Sequence, residues 1–242
     1  MSGHSKWHNI QGRKGKQDAK RSNLFTKFAK GITVAAQSGG GDSEMNFSLR
    51  IAIEKAKAVG MPKDNIERAI KRGTGELNDG NKVETVIYEG YGPGGIAILL
   101  KALTDNKNRT VSDVKHLLTE HGGSMAGPGS VLWMFEQWGL VILNKSGLTK
   151  NLDELELELI EAGAEDISEV EDGKIEIKTK MENLQKAVNA LKVVGIEPIE
   201  SGLVWFAKDE VEVSPENSEK LASLFSDFED NDDIEDFYTN AK

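Results

Sequence analysis

Residues 139–200 read GLVILNKSGLTKNLDELELELIEAGAEDISEVEDGKIEIKTKMENLQKAVNALKVVGIEPIE. Residues 140–143 form a short apolar run, 152–162 carry leucines at helical spacing, and 181–193 are helical again. Between the helices, 167–170 and 175–178 are strand-like segments joined by the turn Asp172-Gly173, and 196–199 close the series as a last strand. The resulting order, βαββαβ, predicts a ferredoxin-like split βαβ unit over 139–202.

Working outward, residues 83–89 are rich in β-branched side chains, Gly90-Tyr91-Gly92-Pro93-Gly94-Gly95 is turn chemistry, and 96–104 are mostly apolar, which predicts a hairpin. Thr110-Val111-Ser112-Asp113 fits a capping box ahead of a helix that buries Val114, Leu117 and Leu118 and stops at Gly122. Further strands are expected at 131–135 and, beyond the central stretch, at 203–207 and 234–238, with a helix capped by Ser214 and opened by Pro215. Joined across 139–202, these pieces read ββαβ plus βαβ, which repeats the same unit after one extra strand. Upstream, Leu24, Phe25, Phe28, Ile32 and Ala35 recur at helical spacing until Ser38-Gly39-Gly40-Gly41, and two shorter helices end near Gly60 and at Arg72-Gly73. The expected fold class is α+β. A small all-α domain (1–78) is followed by two ferredoxin-like α+β domains, with 139–202 inserted into a middle domain of 79–138 plus 203–242.

Charge divides the chain more sharply than hydropathy does. Residues 1–31 hold Lys6, Arg13, Lys14, Lys16, Lys20, Arg21, Lys27 and Lys30 against one acid, Asp18, so the segment is +7 and leaves −17 for the rest of a chain whose formal charge is −10. Cations interleaved with polar donors and Trp7 predict a partner rich in phosphate, because Lys and Arg neutralise phosphates and release counterions. The plainer alternative is a solvated helix face with Trp7 in its own core. The candidate nucleic-acid contacts are Lys6, Trp7, Arg13, Lys14, Lys16, Lys20, Arg21 and Lys27, with Trp7 placed to stack on an unpaired base. Lys107 and Arg109, in Asn106-Lys107-Asn108-Arg109 ahead of the Thr110 helix, form a second candidate cradle for a phosphate backbone. The glycine-rich run Gly122-Gly123-Ser124-Met125-Ala126-Gly127-Pro128-Gly129 reads as a mobile loop suited to reach a partner, or as a plain connection.

Other chemistries find little support. The chain has no cysteine, so disulfides, thiolate metal sites and thiol nucleophiles are excluded. Gly90 to Gly95 lacks GK[ST] and runs into a strand, which argues against a nucleotide loop. His4 and His8 stand four apart with no evident third ligand, and His116 and His121 read as surface or capping residues. No nucleophile–base pair appears, so an enzyme is not expected, nor are a metal, a cofactor or a small-molecule substrate. The acidic run 226–233 reads as a solvated loop or as a mask for the basic segment. Without a secretory leader or an apolar run of ~18 residues, a soluble cytoplasmic protein with no membrane contact is expected.

Several long strings are distinctive: Ser2-Gly3-His4-Ser5-Lys6-Trp7, Asp18-Ala19-Lys20-Arg21, Met61-Pro62-Lys63-Asp64-Asn65-Ile66-Glu67-Arg68-Ala69-Ile70, Tyr88-Glu89-Gly90-Tyr91-Gly92-Pro93-Gly94-Gly95, and Thr104-Asp105-Asn106-Lys107-Asn108-Arg109-Thr110. In these the chain closely resembles the YebC/TACO1 family from its N-terminus to its last strand. The resemblance implies a three-domain α+β protein, described in bacteria as a DNA-binding transcriptional regulator. It equally implies an alternative, since mitochondrial relatives activate translation and bacterial members have been linked to ribosomes and the elongation of difficult sequences. The expected partner is therefore nucleic acid, either DNA or ribosomal RNA, with the ribosome as a further candidate. The resemblance brings no catalytic motif and carries over only the basic residues of the N-terminal string and the loop 106–110. Neither ferredoxin-like unit has the aromatic-rich pattern of an RNA recognition motif, so base stacking on a sheet face is not expected.

Overall fold

The computed structural model describes residues 17–77, 82–148, 151–170 and 173–242. They form two compact units, one of Met134–Asp209 and the other of residues 17–133 with Glu210–Lys242.

The larger unit begins with three helices: α1 (Gln17–Gly39), α2 (Phe47–Ala58) and α3 (Lys63–Gly73). Ile32, Ala36, Leu49, Ile53, Ala56, Met61, Ile66 and Ala69 close their core, so the helical periodicity of the sequence is the periodicity of burial. The Asn46 side chain joins two helix ends. Its Oδ1 accepts the Leu49 N–H at 3.1 Å to cap α2, and its Nδ2 donates to the carbonyls of Ala35 and Gly40 at 2.8 Å. Gly60 adopts φ 77°, which ends α2 and turns the chain into Pro62 ahead of α3. Where α3 crosses α1 the backbones nearly touch: a Cβ on Gly73 would lie 2.4 Å from the Thr33 carbonyl oxygen and 2.6 Å from the Ala36 Cβ. Gly73→Ala is therefore expected to cost about 2–3 kcal/mol through overpacking. Urea unfolding measures it, and an unchanged midpoint would contradict this packing.

In the same unit β1 (Glu84–Tyr91) and β2 (Ala97–Thr104) form the expected hairpin, followed by α4 (Lys107–Glu120) and the short β3 (Ser124–Met125). After Glu210 the chain adds α7 (Pro215–Asp230) and β8 (Ile234–Thr239), giving an antiparallel sheet ordered β3-β1-β2-β8. The helix α4 packs on β1, β2 and β3, α7 packs on β8, and α1 touches β2 and β8. Phe225 and Phe228 of α7 are fully buried and both meet Phe237, the first in a stacked pair at 4.7 Å.

Met134–Asp209 holds β4 (Phe135–Asn144), α5 (Leu152–Glu161), β5 (Ala164–Val170), β6 (Lys174–Thr179), α6 (Leu184–Val193) and β7 (Glu200–Ala207). The antiparallel sheet order β5-β6-β4-β7 is that of the ferredoxin-like unit expected from the sequence. Three strand assignments change. Residues 131–135 are mainly a 3₁₀ turn, Leu132–Met134, and Phe135 instead opens β4. No strand forms at 196–199: Ile196 N–H bonds the Leu191 carbonyl at the end of α6, and Pro198 has no N–H to donate. The segment 203–207 belongs to β7, whose register with β4 runs from Phe135↔Ala207 to Ile142↔Glu200, so that strand completes this unit and leaves the flanking sheet with four strands.

Candidate nucleic-acid interface

The nominated contact residues fall into three groups. Lys6, Trp7, Arg13, Lys14 and Lys16 lie outside the described residues, as do His4 and His8. Lys20 and Arg21 lie near the start of α1, one helical turn before Leu24 and Phe25. Lys27, Lys107 and Arg109 are all engaged by acids of the same unit.

Half-buried Lys27 faces a row of carboxylates. Burial holds its ammonium below the usual lysine range, while Asp236, Glu235, Glu229 and Asp232 oppose that shift. One turn on, Lys30 donates to the Asp232 carbonyl at 3.0 Å and to the Asp233 carboxylate. Asp233 is 3% exposed and also receives Arg109 Nη2 at 2.9 Å and Thr110 Oγ1 at 2.7 Å. Burial alone would raise its pKa, but the bonds from Lys30, Thr110 and Arg109 outweigh it and hold the carboxyl below its usual range. Asp233 thus ties α1 and α4 to the start of β8. The acidic run 226–233 is in part an internal counter-charge, and its Asp227 also meets the His121 ring at 2.7 Å.

The loop 106–110 proves to be a helix start. Asn106 caps α4, its Oδ1 accepting the Arg109 N–H at 3.1 Å, and Thr110, read from sequence as the opening of a capping box, lies inside the helix and is fully buried. Arg109 bonds Asp105 as well as Asp233, whereas Lys107 makes a surface pair with Glu84 at 2.7 Å. The glycine-rich run is anchored as well. The buried Glu89 carboxylate accepts the N–H groups of Gly129, Val131 and Leu132 at 2.6, 2.6 and 2.8 Å, and Ser124–Met125 pairs with β1. Those three bonds overcome the effect of burial and keep the Glu89 pKa below its usual range.

A basic face of α3 lies outside the residues expected from the sequence to touch nucleic acid. Arg68, Lys71 and Arg72 are exposed, and Arg72 had served only to mark a helix end. Asn65, Arg68, Ala69 and Arg72, spaced i, i+3, i+4 and i+7, form one stripe facing Phe25, Thr26 and Ala29 of α1 across Met61. Between the helices lies a groove of about 330 Å³ whose lining holds two guanidinium groups, one aromatic ring and no carboxylate. That spacing was the available signal. In Met134–Asp209, a Cβ added at Gly139 would lie 2.9 Å from the Leu184 Cβ, so the neighbouring Trp138 stands on the opposite sheet face, where Lys178 Nζ lies 3.9 Å from its ring centre and 4.6 Å from that of Phe206. Those rings already hold a cation of the same unit.

Among the described residues no group of three His, Cys, Asp or Glu side chains is placed to hold a metal, and no helix is long and apolar enough to cross a membrane.

Comparison with known proteins covers nearly the whole chain. Residues 5–76 match the model of the TACO1/YebC protein N-terminal domain, and residues 83–241 match that of the TACO1/YebC second and third domain. A probable transcriptional regulatory protein of Caldanaerobacter subterraneus subsp. tengcongensis is 47% identical, the match covering 100% of this chain and 98% of the relative. A protein of the same description from Thermotoga maritima is 48% identical, over 99% of this chain and 93% of its own. The crystal structure of a conserved hypothetical protein from Aquifex aeolicus superposes with a TM-score of 0.83 at 38% identity, covering 98% of this chain and 96% of that one.

Proposed function

Because the chain belongs to the TACO1/YebC family, we propose that it is a non-enzymatic, cytoplasmic regulator of gene expression that grips nucleic acid through the basic helical segment 1–78. The observation that carries this reading is charge segregation: +7 within residues 1–31 of a chain that is −17 elsewhere, extended on α3 by exposed Arg68, Lys71 and Arg72. Phosphate contacts fall to Lys6, Arg13, Lys14, Lys16, Lys20 and Arg21, with Trp7 stacking on a base. Arg109 is assigned instead to the internal junction at Asp233 that Lys30 completes, and Lys27 to the row of carboxylates it faces. Lys107 remains accessible, since its partner Glu84 sits on the surface and exchanges readily with solvent ions. The sheet units serve as scaffold in this reading.

DNA is the first partner proposed, in keeping with the relatives' description as probable transcriptional regulatory proteins. A ribosome-associated translation factor is the second, favoured by the α1–α3 groove, whose aromatic ring and guanidinium pair suit an unstacked base better than a continuous duplex.

Titration against duplex DNA and ribosomal RNA over a salt series tests the shared claim. Replacing Lys14, Lys16, Lys20 and Arg21 together by Ala should weaken binding to both and lower the salt slope by about 3, at ~0.7–0.9 per lost phosphate contact. An unchanged slope and affinity would remove this segment from the interface. Co-sedimentation with ribosomes and no preference among promoter duplexes would select the translation reading.

A further inference from the structure

We propose that the α1–α3 groove holds a single unpaired nucleotide of a folded RNA, its base on the apolar floor and its phosphate on the arginine rim; this rests on the second, RNA-binding reading above and specifies its ligand. Three features of the groove converge. The floor offers the Phe25 ring with Met61 and Ala69, a surface that does nothing for a phosphate but suits the π-face of a base. Asn65, half-buried on the wall, presents an amide that both donates and accepts, as a base edge requires. Arg68 and Arg72, one turn apart at the exposed rim, bring guanidinium forks whose geometry matches phosphate oxygens.

The dimensions narrow the ligand further. A volume of about 330 Å³ is near the lower bound for small-molecule clefts and suits one nucleotide rather than a run of stacked bases. A paired base inside a duplex cannot enter, whereas RNA loops and bulges present splayed bases for stacking and edge recognition. An acidic peptide would satisfy the arginines but leave the Phe25 floor without a matching group. Exposed Lys71 adjoins Arg72 in α3 and adds a further cation to that helix.

The test uses the full chain and short RNA hairpins, fully paired or carrying one bulged 2-aminopurine, alongside a duplex DNA of equal length. The bulged hairpin should bind at least tenfold more tightly than the paired one at equal salt, with quenching of the 2-aminopurine emission. Phe25→Leu should remove most of that tenfold preference and the quenching while leaving the salt slope unchanged. Asn65→Asp, at a site outside the helical core, should do the same by placing a carboxylate in the groove without threatening the fold. Arg68→Ala with Arg72→Ala should lower the slope by about 1–2. Equal affinity for bulged and paired RNA, for wild type and both groove variants, would overturn the proposal while leaving the nucleic-acid reading intact. Duplex DNA binding as tightly as the bulged hairpin would also overturn it, as would competition by polyglutamate that depends on Phe25. Absence of binding to every nucleic acid would overturn the broader reading as well.

Discussion

Replacing Asp233 by Ala is expected to destabilise the larger unit by about 3 kcal/mol, the lower end of the cost of breaking a buried ion pair by removing one partner. The loss strands Lys30, whose side chain is only 13% exposed, and removes one of the acceptors around Thr110, which keeps Thr104 and Asn106; Arg109, 48% exposed, can turn to water, which keeps the cost from rising further. The same residue sets a pH dependence. Its folded pKa lies below the ordinary carboxylate value, so its contribution is complete above the unfolded pKa of ~4 and is lost as pH falls through the lower folded value. Urea unfolding at neutral pH should separate wild type from Asp233→Ala, and the two should converge as pH falls through the lowered folded value. Adding Lys30→Met should recover part of the loss, because an apolar side chain removes the stranded charge. Equal midpoints at neutral pH would show that this carboxylate does not hold the helices to β8.

Glu89→Gln is expected to cost about 2–3 kcal/mol and to release the 126–132 segment. The carboxylate has two oxygens for three converging N–H groups, whereas glutamine offers one carbonyl and turns an NH₂ toward a backbone donor. Hydrogen exchange should show protection lost at Gly129, Val131 and Leu132 together. Because the Glu89 pKa is also held down, the wild-type loop should loosen in acid as pH falls through that lowered value, and the variant should lack this transition. Retained protection in the variant would mean that the turn backbone alone fixes the loop.

How much of this was legible in the sequence depends on the range of the interaction. Helices α1 to α3 and the hairpin β1–β2 were readable because their signals are local: apolar spacing, Gly60, Gly73 and the turn at 90–95. The ferredoxin-like order was readable too, but its last strand was misplaced, because 203–207 is apolar enough for a strand of either unit and only pairing with β4 assigns it to this one. Long-range polar contacts left no such trace. Asp233 stands 203 residues from Lys30 and 124 from Arg109, so three residues read as surface charge turned out to be one internal junction. Composition likewise made 122–129 look mobile, while the residue that fixes the end of that loop, Glu89, sits 40 positions upstream of Gly129. Arg68 and Arg72 were visible as a stripe at i and i+4, yet only the packing of α3 against α1 gives them Phe25 as a neighbour.

Ultraviolet cross-linking of the intact protein to a 4-thiouridine-substituted ribosomal RNA fragment, followed by mass mapping of the attached peptides, is the most direct measurement of where nucleic acid sits. The account places the adducts within residues 1–77, strongest near Trp7 and Phe25, and fading as salt rises. Adducts concentrated in Met134–Asp209, or an adduct pattern indifferent to salt, would contradict it.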